Sequence, residues 1–250
     1  MGGRLNTYIF GSNPARDAAV IADMCSGEVI GLDTETEGIN PKTTAPASGA
    51  GRIACWSVST PKFPRVFLWA DTLPVFTHWI ENPDYPKVGH NIYGFDKHMF
   101  HNSGIKLRGV IADTMRMSRL LYSSKMRSHG LKDLARNWLD ISQPSFDSLF
   151  RRPKHKIEFI QEKKRGVEVQ FRESYKKVGE HKRVPTTYAS GMRGKFGKAL
   201  DYIPLSSVPT DYPERLQALY DYASLDALLT RELYFKFRDA LEKVEWKIAK

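Results

Sequence analysis

A chain of 250 residues with 41% hydrophobic and 26% charged side chains can bury a core as one large domain or two small ones. It contains no apolar run near the roughly 18–20 residues of a membrane span, and its opening MGGRLNTYIFGSNP lacks the apolar stretch of a secretory signal, so no membrane partner is expected. The net charge is +10, and two lone cysteines, Cys25 and Cys55, point to a reducing intracellular setting, cytoplasm or nucleoid.

In chain order, Glu28 to Thr34, Arg52 to Ser59 and Arg65 to Trp69 read as three strands with tight connections, an antiparallel meander. Leu73 to Ile80 shows helical spacing and ends at the breaker ENPDYP. Lys87 to His90 reads as a fourth strand feeding a helix from Phe95 to Asn102, and Val110 to Ala112 as a fifth. Asp113 is placed to cap the helix TMRMSRLL, because its carboxylate can accept first-turn amide protons. Leu131 to Leu139 is another amphipathic helix. From Pro213, a first-turn proline, a helical pattern runs towards Lys247 through Leu216, Leu219, Tyr220, Leu228, Leu229, Leu233 and Phe237. Meander followed by strand–helix alternation predicts an α/β domain, a mixed five-stranded sheet flanked by helices. The expected organisation is one domain over 1–250 with a basic insertion at 151–200, before the last helix.

That insertion holds the charge. Between Arg151 and Lys198 lie fifteen basic and five acidic residues, a net +10 that equals the whole chain's excess. Concentrated basic charge marks a polyanion partner. Arg151, Arg152, Lys163, Lys164, Arg165, Lys176, Lys177, Lys182 and Arg183 are the candidate contacts, with Phe159, Phe171, Tyr175, Tyr188 and Phe196 interleaved as stacking surfaces. The plainer alternative is a solvated surface insertion.

Three acidic elements are candidates for chemistry. Asp33 and Glu35 are two apart at a strand end, so both carboxylates face one side and can meet one cation; all-oxygen ligands favour Mg²⁺ or Mn²⁺. Such pairs also occur on exposed strand ends. Asp96, closing GHNIYGFD, stands at a strand-to-helix junction where it is either an anion site or a simple cap. Tyr222 and Asp226 share one face of the final helix, which is either a site or a solvent edge. His90, His98 and His101 have no cysteine among them and do not make a zinc spacing, and His129 reads as structural.

Taken together, these elements resemble the 3′–5′ proofreading exonuclease domain of family A, DNA polymerase I-like, polymerases, within the ribonuclease H-like exonuclease superfamily (DEDDy type). GLDTETEGINP is similar to that family's first motif, VGHNIYGFD to its second, and YASLDALLTRELY with the lead-in YIPLSSVP to its third; ADTMRMSRLL and SHGLKDLA match the segments between. The resemblance covers Glu28 to Phe237, and the basic insertion is its main departure.

The resemblance implies two-metal phosphodiester hydrolysis at single-stranded or mismatched DNA 3′ ends, with Mg²⁺ or Mn²⁺ as cofactors. Asp33 would bridge both ions, Glu35 and Asp226 would complete the site of the attacking water, and Asp96 would hold the second ion. Tyr222 would orient the water, since a phenol of ordinary pKa near 10 is a poor base at neutral pH. Ile39 would wedge against the terminal base and Asn91 contact the end nucleotide, with Thr34 and Thr36 as further substrate-binding candidates. DNA, and a DNA polymerase as protein partner, are the expected partners. The length leaves either a free-standing exonuclease or one domain of a longer polymerase. A ribonuclease D-like exoribonuclease and a non-catalytic nucleic-acid-binding scaffold of the same fold are the alternatives.

Overall fold

The computed structural model describes residues 6–37, 51–122, 127–150, 156–159, 171–174 and 203–248. The chain divides into two compact units, Met1–Ser145 with Pro204–Lys250, and Phe146–Ile203. No helix among the described residues is long and apolar enough to cross a membrane.

The first unit is a mixed sheet covered by helices. Its strands are β1 (Tyr8–Ile9), β2 (Ile30–Glu37), β3 (Arg52–Ser59), β4 (Val66–Trp69), β5 (Lys87–Gly89) and β6 (Val110–Asp113), in the spatial order β1-β4-β3-β2-β5-β6. The central meander is antiparallel, with Asp33 opposite Ser57 and Ser57 opposite Phe67. β5 joins β2 in parallel, as β6 joins β5 and β1 joins β4. The five-stranded expectation is therefore corrected to six. The additional strand is a two-residue edge, too short for any hydrophobic period. Long-range bonds hold it: Tyr8 N–H donates to Arg65 O at 2.8 Å, and the Tyr8 hydroxyl donates to Asp17 Oδ1 at 2.6 Å.

Helix α1 (Pro14–Met24) was not among the predicted elements, although its start signals are ordinary. Asn13 caps it by accepting the Arg16 N–H at 3.1 Å, and Pro14 occupies a first-turn position. Next come α2 (Leu73–Glu81), α3 (Asp96–Asn102), α4 (Thr114–Tyr122) and α5 (Leu131–Leu139). Asp113 Oδ1 accepts the N–H groups of Met115 and Arg116, the cap expected from the sequence, and also that of Asn91. One core lies under the sheet around Leu32, Trp56, Leu68, Ile80 and Phe100, all fully buried.

After the short α7 (Val208–Asp211) and a 3₁₀ turn at Pro213–Arg215, α8 (Leu216–Ile248) packs on β2, β3, α4 and α5. Leu134 of α5 and Leu233 and Phe237 of α8 form a second buried cluster that fixes the two helices together.

The second unit contains α6 (Phe146–Phe150) and an antiparallel pair, β7 (Lys156–Phe159) and β8 (Phe171–Ser174), in the register Lys156↔Ser174 to Phe159↔Phe171. Ile203 N–H donates to Phe150 O at 2.9 Å. The predicted basic insertion falls inside this unit.

Candidate active site

The site begins with the period of β2. Gly31, Asp33 and Glu35 alternate onto the face that α8 covers. A Cβ on Gly31 would stand 2.3 Å from the Ala227 carbonyl oxygen and 2.9 Å from Arg231 Cβ, so only glycine admits the helix backbone here. On the neighbouring strand, opposite Asp33, the Ser57 hydroxyl donates to Ala223 O at 2.7 Å. These contacts hold α8 on either side of Asp226. As a result, ligand oxygens of Asp33, Glu35 and Asp226 all lie within 4.8 Å of one another.

Asp96 arrives by another route. β5 pairs with β2 only as far as Val88 and Gly31, so the Thr34 N–H lies past the end of that ladder. Asp96, at the start of α3, takes the position: its Oδ1 accepts both the Thr34 N–H at 3.0 Å and the Thr34 hydroxyl at 2.6 Å. The turn that delivers Asp96 depends on Asn91, whose φ of 59° is a left-handed conformation asparagine tolerates. Asn91 O accepts the N–H groups of Gly94 and Phe95, both at 2.9 Å.

Four carboxylates crowded together, Asp96 and Asp226 buried and Asp33 and Glu35 half-buried, are costly as anions. Burial, followed by the charges of Asp226, Asp96 and Glu35, pushes the Asp33 carboxyl well above the usual carboxylate range. Burial and Asp226 do the same to Glu35. Burial raises Asp96 to about 7 against the opposing Thr34 hydrogen bonds, and raises Asp226 to about 6 against the opposing charge of Lys132. Asp226 Oδ1 is buried with no hydrogen-bond partner. An oxygen-only donor set, crowded, desolvated and holding an unsatisfied carboxylate oxygen, fits a hard divalent cation.

Tyr222 lies one turn before Asp226 and is 7% exposed. Two residues absent from the sequence-based candidates meet it. Lys132 Nζ donates to the Tyr222 hydroxyl, with the ammonium 4.1 Å from the centre of its ring. Gln143 Nε2 donates to Tyr222 O at 3.1 Å, and the Gln143 side chain also hydrogen-bonds Asp226. Lys132 lies within SHGLKDLA, a segment already matched to the family, so a signal for it was present. Gln143, in the loop after α5, carried none.

Thr34 is buried and its hydroxyl is committed to Asp96, whereas Thr36 is half-buried beyond a register break at Glu35/Thr36. Asn91 is half-buried. Ile39 and the nine basic candidates, Arg151, Arg152, Lys163, Lys164, Arg165, Lys176, Lys177, Lys182 and Arg183, lie outside the described residues. His129 Nδ1 meets Ser118 Oγ at 2.9 Å, joining α4 to the approach to α5. Among the described residues, only the Asp33–Glu35–Asp226 group has metal-ligand geometry, and it contains no histidine.

The sequence pattern of a family described as 3'-5' exonuclease, of DNA polymerase A type, matches residues 12–177. Mitochondrial DNA polymerase I B of Oryza sativa subsp. japonica is 27% identical over 235 residues, which cover 88% of this chain and 20% of that protein. The chain thus spans about a fifth of the length of the curated relatives it matches. NrnC from Brucella melitensis bound to pGG superposes with a TM-score of 0.55 at 15% identity, covering 96% of this chain and 84% of that one. The catalytic core of RRP6 from Trypanosoma brucei gives 0.55 at 11% identity, covering 97% and 49%. The two structures share the ribonuclease H-like exonuclease fold with this chain.

Proposed function

The chain belongs to the 3′–5′ exonuclease domain family of DNA polymerase A type, and on that premise we propose that it removes nucleotides from single-stranded or mismatched DNA 3′ ends by two-metal-ion hydrolysis, in proofreading or DNA end processing. The observation that carries this reading is the meeting of Asp33, Glu35 and Asp226 within 4.8 Å, with Asp96 tied to the intervening Thr34.

Asp33, Glu35 and Asp226 would hold one divalent ion, and Asp33 with Asp96 the second. When bound, Mg²⁺ or Mn²⁺ supplies acidification of the attacking water and neutralises charge on the attacking and leaving oxygens. The protein's own groups do the rest. Thr34 holds Asp96 by two donors, so that its carboxylate cannot turn away from β2. Tyr222 orients the water through its hydroxyl. Asn91 and Ile39 contact the terminal nucleotide, and the basic 151–200 segment tracks upstream phosphates. A DNA polymerase, on the same chain or a separate one, is the protein partner.

The same carboxylates and phenol would also act on an RNA 3′ end, which makes a ribonuclease D-like activity the second reading. A time course on 5′-labelled single-stranded DNA, mismatched-end duplex and sequence-matched RNA, each with Mg²⁺, Mn²⁺ or EDTA, separates the two. Expected is a ladder shortening from the 3′ end, faster on DNA, and none in EDTA. Faster decay of RNA would transfer the assignment to the second reading, and hydrolysis that survives EDTA would end both.

A further inference from the structure

A resident cation already sits beside these carboxylates. Lys132 is the second residue of α5, a helix fixed to α8 by the buried Leu134, Leu233 and Phe237 cluster. Its half-buried side chain donates to the Tyr222 hydroxyl and lies against that ring. An ammonium can only donate, so the phenol oxygen must be the acceptor and the phenol proton must point to a different partner. The hydroxyl is thereby oriented before substrate arrives. Tyr222 lies one turn before Asp226, so the positive charge also stands within electrostatic reach of Asp33, Glu35 and Asp226.

We propose that Lys132 is a positioning residue with two linked effects: it sets the Tyr222 hydroxyl for hydrolysis, and it supplies a built-in positive charge that competes with divalent ions for the Asp33–Glu35–Asp226 cluster. The inference rests on the exonuclease reading above. It predicts effects of opposite sign, because removing the lysine takes away a rival of the metal and the guide of the phenol together. A residue that only supports packing would weaken metal binding and turnover alike.

The test compares the full chain with its Lys132→Met, Lys132→Gln and Lys132→Arg variants. Mn²⁺ binding is measured by calorimetry without DNA, and turnover on a 5′-labelled oligonucleotide. Loss of one unit charge near the cluster should tighten Mn²⁺ binding about threefold to tenfold in Lys132→Met and Lys132→Gln. A misplaced water guide should slow kcat on the order of tenfold, with KM for the oligonucleotide within about twofold. Lys132→Arg keeps the charge and should recover the wild-type Mn²⁺ affinity. In EDTA the two neutral variants should melt below wild type, and saturating Mn²⁺ should narrow the gap. Unchanged or weaker Mn²⁺ binding in both neutral variants, or unchanged kcat, overturns the role of Lys132 while an active wild type leaves the exonuclease reading standing. A wild type that neither binds Mn²⁺ nor degrades DNA overturns the exonuclease reading and this inference with it.

Discussion

Gly31 and Ala227 are in close approach at the site: the Ala227 carbonyl oxygen occupies space 2.3 Å from where a Cβ on Gly31 would stand. A glycine with no side chain and no turn to make thus determines how near α8 comes to β2, and so how near Asp226 comes to Asp33 and Glu35.

Gly31→Ala should push α8 outward. The obstacle is backbone, which cannot change rotamer, so a loss of about 1–3 kcal/mol is expected by urea denaturation. Hydrolysis should fall more steeply than stability, since the carboxylates separate. An unchanged rate in a folded variant would show that the cluster tolerates the displacement.

Asp33→Ala and Asp226→Ala should each abolish release of nucleotide from a labelled oligonucleotide. Mn²⁺ at a hundredfold excess over its Kd should stabilise the wild type by about 2.7 kcal/mol, and this gain should vanish in Asp226→Ala. In EDTA the order reverses. Asp226→Asn should melt above wild type, because one of the crowded charges that raise Asp33 and Glu35 is gone. A lower melting temperature for Asp226→Asn in EDTA would contradict that account of the cluster.

Thr34→Val keeps the shape and the N–H but removes the hydroxyl that donates to Asp96 Oδ1 at 2.6 Å. The expected cost is about 1–3 kcal/mol of stability, with reduced hydrolysis that Thr34→Ser restores. Equal behaviour of the valine and serine variants would remove the hydroxyl from the account.

His90 governs an acid-side pH dependence away from the carboxylates. Its Nδ1 meets Thr114 Oγ1 at 2.9 Å and its Nε2 is buried without a partner. Burial pushes the imidazole down to about 4; Asp113 and the His129 backbone favour its charged form, while the charges of Arg119 and the His129 side chain oppose it. The unfolded chain, titrating near 6.5, therefore binds a proton that the folded chain refuses. Stability from this group is complete above pH 6.5 and is lost as the pH falls towards 4, amounting to about 3 kcal/mol. The wild-type minus His90→Gln difference in unfolding free energy should follow that window, and a flat difference would refute it.

Replacing Lys163, Lys164, Arg165, Lys176, Lys177, Lys182 and Arg183 with glutamine should weaken binding of single-stranded DNA. It should also flatten the dependence of affinity on salt by roughly 0.7 per lost phosphate contact. Unaltered affinity and slope would assign the basic segment another partner.

Much of this architecture could be read from the residue order, because it is local. A period of two places Asp33 with Glu35, and a period of 3.6 places Tyr222 with Asp226; both depend only on backbone geometry within a few residues. The same holds for the meander, the cap at Asp113 and the length of α8. What the chain order could not decide is who meets whom across the fold. The two-residue β1 is a strand because it pairs with β4, far away in the chain, and Gly31 looks like any strand glycine until α8 lies on it. The Asp96 bond to Thr34 requires β5 to stop at Gly89, and Lys132 and Gln143 reach Tyr222 only because buried side chains dock α5 on α8. Local spacing dictates which faces the carboxylates occupy. Close packing of backbone against backbone, which no spacing encodes, dictates that those faces converge.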